Sequence, residues 1–312
     1  MCIRDSHREG AIVIKDRHGI RPAALGWKDS RFVAASEDVA IRKNGGMFIK
    51  DIEPGSVYYL YPDGKYDSEL IVGADPRYCF FEWNYLADPE SVINGVSVNN
   101  VQQRLGKELA LYINSNADIV SFVPRRPEVA ARAYADVLGL PFAHIMTKES
   151  ALRSFQGPDQ KERIEALERN MHLLDSPYFE KRSLVRDFRG AKVDWIDDSI
   201  IRGTVGSTVI PIIEPLGVTS RLLSYTPCIG KIRSDGVKTG CYDGVDMPPE
   251  ESENHKFVAR GRNFRSIGRK IGMEARALDA RGMKSAFRKA GMDPNNLCTF
   301  CIGGCHPYRE KS

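Results

Sequence analysis

The chain has 312 residues, enough for one large domain or two ordinary ones. Its 42% hydrophobic and 28% charged residues give an ordinary globular balance, and a net charge of +4 from 45 basic and 41 acidic residues is too small to point to nucleic acid. No apolar run nears the roughly 20 residues that cross a bilayer and no secretory h-region opens the chain, so the expectation is a cytoplasmic protein with no membrane or nucleic-acid partner.

Residues 1–6, Met1-Cys2-Ile3-Arg4-Asp5-Ser6, match nothing that follows and read as a non-native leader. Residues 7–75 read as short strands and turns. Strands are predicted at Ala11–Ile14, Arg31–Ala35, Met47–Lys50 and Ser56–Tyr61, with turns at Asp16-Arg17-His18-Gly19 and Pro62-Asp63-Gly64-Lys65. No helix here is long enough to cover a sheet, so the region reads as part of a domain. From 76 to 312 strands alternate with helices. Asp118–Val123 is a strand ended by Pro124. Pro127–Leu138 is a helix, with Pro in its first turn and Gly139 just past its end. Phe142–Met146, Ala191–Ile196 and Val218–Ser224 are further strands. This alternation implies an α/β fold with a parallel sheet, whose ligands sit at the carboxyl ends of the strands. Pro211 and Pro215 should shorten or kink the helix that carries them. His255–Ala290 reads as helical and basic, with its arginines and lysines on a solvated face.

The strongest local signal is Val193–Ser207. A strand delivers Asp197 and Asp198 at its end, and a loop with Gly203 and Gly206 leads into a helix start. The glycines permit backbone angles that a side chain forbids. The N–H groups of Thr204 to Ser207 can then converge on one anion, and the hydroxyls of Ser199, Thr204 and Ser207 add donors. A monophosphate suits that cradle. The two carboxylates suit the hydroxyls of a ribose, or a Mg²⁺ bridging ribose and pyrophosphate. A phosphate at one end and a diol with metal at the other describes a ribose 5-phosphate.

This arrangement resembles the signature of type I phosphoribosyltransferases. Other blocks resemble the glutamine phosphoribosylpyrophosphate amidotransferase family: Asp16–Pro22, Ala34–Ala40, Asp51–Gly55, and the junction Cys79–Ser91, with Gly106-Lys107-Glu108 after it. They stand in family order over nearly all of residues 10–308. The resemblance implies a phosphoribosyltransferase domain at 76–312, preceded at 7–75 by the C-terminal remnant of an N-terminal-nucleophile glutaminase domain. It also implies a pentosyltransferase that forms 5-phosphoribosylamine and pyrophosphate from phosphoribosylpyrophosphate and ammonia drawn from glutamine, as the first step of purine synthesis. Mg²⁺ at Asp197 and Asp198 and a homo-oligomer are implied as well. Ser199, Ile200, Ile201, Arg202, Gly203, Thr204 and Val205 become the substrate-binding loop.

Two departures stand out. The second phosphate loop reads Val123-Pro124-Arg125-Arg126-Pro127, without the acidic and hydroxyl residues of the family. Arg125 and Arg126 could hold pyrophosphate directly, since guanidinium forks match phosphate oxygens; equally, they could mark a weakened catalyst. The family's closing loop is altered to Lys148–Phe155, in which Lys148 and Arg153 remain pyrophosphate contacts. Cys2 is followed by Ile3-Arg4-Asp5 and cannot be aligned with the family's nucleophile, so the chain reads as truncated and without glutamine hydrolysis.

Seven cysteines in a chain with no signal peptide argue against a disulfide framework. By resemblance, Cys79, Cys241, Cys298 and Cys301 are the ligands of a 4Fe–4S cluster. Structural zinc and unliganded thiols are the alternatives, since thiolates suit either metal. A second functional class also stays open: a phosphoribosylpyrophosphate-binding regulatory protein that kept the loop and lost the chemistry.

Overall fold

The computed structural model describes residues 2–7, 10–124, 126–148, 171–173, 189–243, 245, 247–252 and 256–308. The side chains of 2–7, 148, 171–173, 204, 205 and 207 lie outside that description. The chain forms two compact units: residues 1–101 with 287–299 and 304–312, and residues 102–286 with 300–303.

The first unit is built from antiparallel strands. One sheet runs in the order Cys2–His7, Gly10–Ile14, Ser56–Leu60, Tyr66–Leu70. The segment set apart as a leader thus pairs as an edge strand, Cys2 opposite Ile14. A second sheet runs Arg31–Ala35, Ala24–Lys28, Met47–Asp51. Its hairpin closes through Asp29 and Ser30, both at positive φ, as a two-residue turn with matching twist requires. Ala24–Lys28 escapes the sequence reading because Gly26 breaks its β pattern. That glycine is needed: a Cβ there would lie 2.8 Å from the Met47 carbonyl oxygen. Val13, Ala23, Leu25, Ile52, Tyr58 and Leu60 form the core. Lys15 is buried within this unit, its Nζ donating to the Ile52 carbonyl at 2.8 Å, and burial lowers its pKa.

The second unit carries the parallel sheet. Its order is Ile119–Phe122, Lys192–Asp197, Thr219–Ser224, Glu274–Ala277, every pair parallel. Lys192–Asp197 is buried on both faces after its first residue, as a central strand of a parallel sheet is. The helix Glu128–Leu138 ends where expected, with Gly139 in the left-handed conformation. The helix Val98–Tyr112 approaches it so closely at Gly106 that a Cβ would collide with the backbone of Ala130.

Two expectations are corrected. Phe142–Met146 is not a sheet strand. Only Phe142 bridges to Val120, and the ladder stops where the Ser121 hydroxyl donates to the Ala143 carbonyl. The chain then forms Met146–Lys148, antiparallel to Met171–Leu173. His255–Ala290 is not one helical stretch either. Helix Phe264–Ile271 ends at Gly272, φ 91°, and strand Glu274–Ala277 precedes helix Ala280–Lys289. The sequence hides the strand because Glu274-Ala275-Arg276-Ala277 has helix-forming residues; pairing with Arg221–Ser224 overrides that preference.

The amino-terminal half of the central strand is fixed by a buried charge. Asp194 accepts from Arg221 Nε at 2.8 Å and Nη2 at 2.9 Å, from Tyr134 Oη at 2.7 Å and from Ser115 Oγ at 2.7 Å. Every oxygen is used, so this aspartate is structural. Asp194→Ala leaves a half-buried guanidinium and a buried phenol without their acceptor. Urea unfolding should show a loss of about 3–5 kcal/mol, the range for breaking a buried pair; a change below about 1 kcal/mol would refute the assignment.

Candidate functional site

At its carboxyl end the same strand carries a different kind of acid. Asp197 and Asp198 are 5% and 9% exposed. Asp197 Oδ1 accepts the Asp198 N–H at 2.9 Å, and Asp198 Oδ1 accepts the Ser199 hydroxyl at 2.6 Å. The Ser199 hydroxyl thus serves the carboxylate beside it. The Asp198 backbone is held by the neighbouring strand end, where the hydroxyls of Ser224 and Thr226 both donate to its carbonyl. Tyr225 N–H donates to the Asp197 carbonyl at 3.1 Å. The sequence reading missed Ser224 and Thr226, although two hydroxyls at the end of a strand beside an acidic pair are a usable signal.

Burial raises the pKa of both carboxyls. For Asp197 the charge of Asp198 adds to burial, and the Asp198 N–H opposes it. Asp198 is pushed up to about 7 by burial, opposed by the Ser199 hydroxyl and by the positive charge of Arg126. The pair titrates as a unit. Half-buried Arg126 is therefore the one arginine of the altered second loop with a described bearing on the site; Arg125 lies outside the described residues.

Beyond the pair, the loop turns away and is tied from behind. The Ile200 carbonyl accepts from Ile229 N–H at 3.1 Å, and the Ile201 carbonyl from Val258 N–H at 2.8 Å. The Ile200 side chain joins the hydrophobic core, so this residue can serve a ligand only through its backbone. Arg202 is half-buried. Gly203 caps helix Thr204–Ile213 at φ 78°, a left-handed angle that favours glycine. Gly206 N–H bonds back to the Gly203 carbonyl at 3.2 Å, which leaves Thr204 and Val205 as first-turn N–H groups with no intrahelical acceptor. The backbone thus presents donors at a helix start, where the dipole favours an anion. The helix is short, as Pro211 and Pro215 imply: Pro211 lies in its last turn and Pro215 in the 3₁₀ turn that follows.

The remaining candidates belong to several elements. Lys148 ends the short antiparallel strand, its backbone opposite Met171; its side chain and the whole of Arg153 lie outside the described residues. Cys79 and Cys298 are register partners in a two-stranded parallel ladder of the first unit. Cys241 and Cys301 belong to the second unit. Among the described residues no group of three or more His, Cys, Asp or Glu side chains is gathered to hold a metal ion. Cys228 is fully buried and its thiol is pushed up to about 11, which makes it inert. No described helix is long and apolar enough to cross a membrane.

A parallel α/β sheet whose central strand ends in an acidic pair and runs into a glycine-capped helix start defines a phosphate-binding class of fold. Within that class, the chain is similar to amidophosphoribosyltransferases. It is 32% identical over 303 residues to the one from Archaeoglobus fulgidus, covering 96% of this chain and 61% of that protein. It is 30% identical over 296 residues to the one from Methanothermobacter thermautotrophicus, covering 95% of this chain and 58% of that protein. Among solved structures it is similar to glutamine phosphoribosylpyrophosphate amidotransferase from Bacillus subtilis in complex with ADP and GMP, with a TM-score of 0.76 and 26% identity over 96% of this chain and 62% of that one. No family model matches. The chain spans about 60% of the length of these relatives.

The raised carboxyl pKa sets a pH dependence of stability. Between the ordinary value of 3.8 and about 7 the folded state binds more protons than the unfolded state. Stability contributed by protonated Asp198 is full below pH 3.8 and is lost as pH rises through 7. Asp198→Asn should remove that slope, so that at pH 8 the variant is more stable than the native protein by roughly 2–4 kcal/mol in urea unfolding. Parallel pH profiles for the two proteins would overturn the account.

Proposed function

We propose that this chain binds phosphoribosylpyrophosphate at the end of strand Lys192–Asp197 and transfers its phosphoribosyl group to ammonia, as an amidophosphoribosyltransferase acting early in purine synthesis. The observation that carries the reading is the buried Asp197–Asp198 pair directly ahead of the Gly203-capped helix. The relatives' names support it.

In this reading the first-turn N–H groups of Thr204 and Val205 take the 5-phosphate, and the Asp pair takes the ribose hydroxyls and Mg²⁺. The residues fit that ion. The donors are all oxygen, Mg²⁺ is commonly held by one or two carboxylates plus substrate phosphates, and the adjacent, buried carboxyls of Asp197 and Asp198 offer that donor set. When bound, Mg²⁺ offsets charge on the departing pyrophosphate. Arg126, with Arg125, Lys148 and Arg153 assigned from sequence, would receive the pyrophosphate oxygens. The ammonia lone pair forms the bond to C1 as the bond from C1 to the pyrophosphate oxygen breaks, and one proton leaves the new ammonium group to solvent. A dry cradle keeps water from taking the place of ammonia.

The domain reading is carried as a proposal too: 7–75 as a glutaminase remnant and 76–312 as the transferase domain. A homo-oligomeric assembly in the cytoplasm is proposed from the same resemblance, with the amination drawing on free ammonia because Cys2 does not align with the family's nucleophile. The iron–sulfur assignment rests on Cys79, Cys241, Cys298 and Cys301 in the sequence, supported by the pairing of Cys79 with Cys298.

The test is pyrophosphate release from phosphoribosylpyrophosphate with ammonium and Mg²⁺. Turnover is expected, and Asp198→Asn should lower it about 10²–10³-fold. Tight binding without turnover would favour the regulatory-receptor reading, and no binding would sink both. For the cluster, anaerobically purified protein should contain about four iron and four sulfide per chain; zinc without sulfide would replace the assignment, and neither metal would remove it.

A further inference from the structure

Gly203 and Gly206 need glycine for different reasons. Gly203 sits at φ 78°. Gly206 is not among the glycines at positive φ; it lies in the first turn of an ordinary helix, where glycine costs about 1 kcal/mol relative to alanine. What excludes a side chain is a neighbour. A Cβ on Gly206 would overlap the Ile271 side chain and come within 2.5 Å of the Ile271 carbonyl oxygen. The same side chain lies beneath Gly203, where a Cβ would meet Ile271 Cγ1 at 3.3 Å and Val258 Cγ2 at 3.2 Å. Ile271 is the last residue of helix Phe264–Ile271 and is 3% exposed.

We infer that Ile271 is a positioning residue for the anion cradle: the end of its helix is the anvil against which Gly203–Gly206 is shaped. The inference rests on reading that loop as the sugar-phosphate site, and it adds a determinant outside the loop. The physical argument is one of stiffness. An anion held by backbone N–H groups gains from them only while they converge, and a short glycine-containing segment has many other conformations to visit. The loop is restrained on its far side by two backbone hydrogen bonds, to Ile229 and Val258, and by this branched side chain against both glycines. Isoleucine fits because a β-branched side chain has few rotamers, so its surface is fixed. Both Cγ atoms are used, Cγ1 toward Gly203 and Cγ2 toward Gly206.

The test compares Ile271→Ala, Ile271→Val and a core control, Ile213→Ala, which removes a buried isoleucine of the same hydrophobic core at the far end of helix Thr204–Ile213. Two readouts are taken at a temperature where all are folded. The first, without ligand, is hydrogen exchange at the Gly206 amide, which bonds back to the Gly203 carbonyl. Exchange is expected to rise about tenfold in Ile271→Ala and to stay near native in Ile271→Val, which keeps both Cγ atoms, and in Ile213→Ala. The second is calorimetric binding of ribose 5-phosphate, expected to weaken about tenfold in Ile271→Ala alone. Loop exchange that rises equally in Ile271→Ala and Ile213→Ala would overturn the inference, as would native-like exchange in Ile271→Ala. If the native protein binds no ribose 5-phosphate, the functional reading falls, while the exchange comparison still decides whether Ile271 holds the loop.

Discussion

Two carboxylates sealed from solvent at the end of one strand are the constraint around which the second unit is arranged. Removing an ionised carboxylate from water costs several kcal/mol even after relaxation. The protein meets that cost in part by keeping a proton on the pair, and in part by local donors, the Asp198 N–H and the Ser199 hydroxyl. The positive charge of Arg126 acts on Asp198 as well. Ser224 and Thr226 grip the Asp198 carbonyl without touching its charge. The backbone is therefore fixed around a pair held by donors from its own loop, an arrangement that suits the proposed binding role.

The contrast with Asp194 shows that this is not a property of buried acids in the fold. Two residues, Trp195 and Ile196, separate it from Asp197 on the same strand. Asp194 is 2% exposed, yet it has a guanidinium, a phenol and a hydroxyl directed at it. Asp194 is thus held by other elements of the unit, while the Asp197–Asp198 pair bonds within its own loop. In a parallel sheet the end that carries the pair is also where the loops converge, because every strand enters from the same side.

Much of this was legible in the sequence, for reasons that can be named. The central strand is rich in bulky apolar residues, Val193, Trp195 and Ile196, and is ended by two acids. Helix 128–138 is bracketed by Pro127 and Gly139, whose backbone preferences act locally. The failures share a cause: partners distant in sequence. Glu274–Ala277 has helix-forming residues and becomes a strand because Arg221–Ser224 offers it an edge. Phe142–Met146 has strand-forming residues and leaves the sheet after one bridge, since a side-chain hydroxyl takes the next acceptor. In the site, the Asp pair and Gly203 were readable from residue type alone. The Ser199 hydroxyl donates to the adjacent Asp198, and sequence spacing cannot give the direction of a hydroxyl.

Gly206 carries the same lesson into the site itself. Two glycines three residues apart in a phosphate loop invite one explanation, that both free the backbone for the anion. The angles separate them. Gly203 is bent by the turn, whereas Gly206 is helical and is small because the end of another helix leaves no room. Under the proposed reading the cradle is therefore the product of two helices. One would offer its N-terminus to the ligand, and the other, some sixty residues later in the chain, sets its last residue against the glycines of the first. On this inference the sensitivity of the loop extends to a residue outside it, because removing the two Cγ atoms of Ile271 takes away the surface against which Gly203 and Gly206 rest.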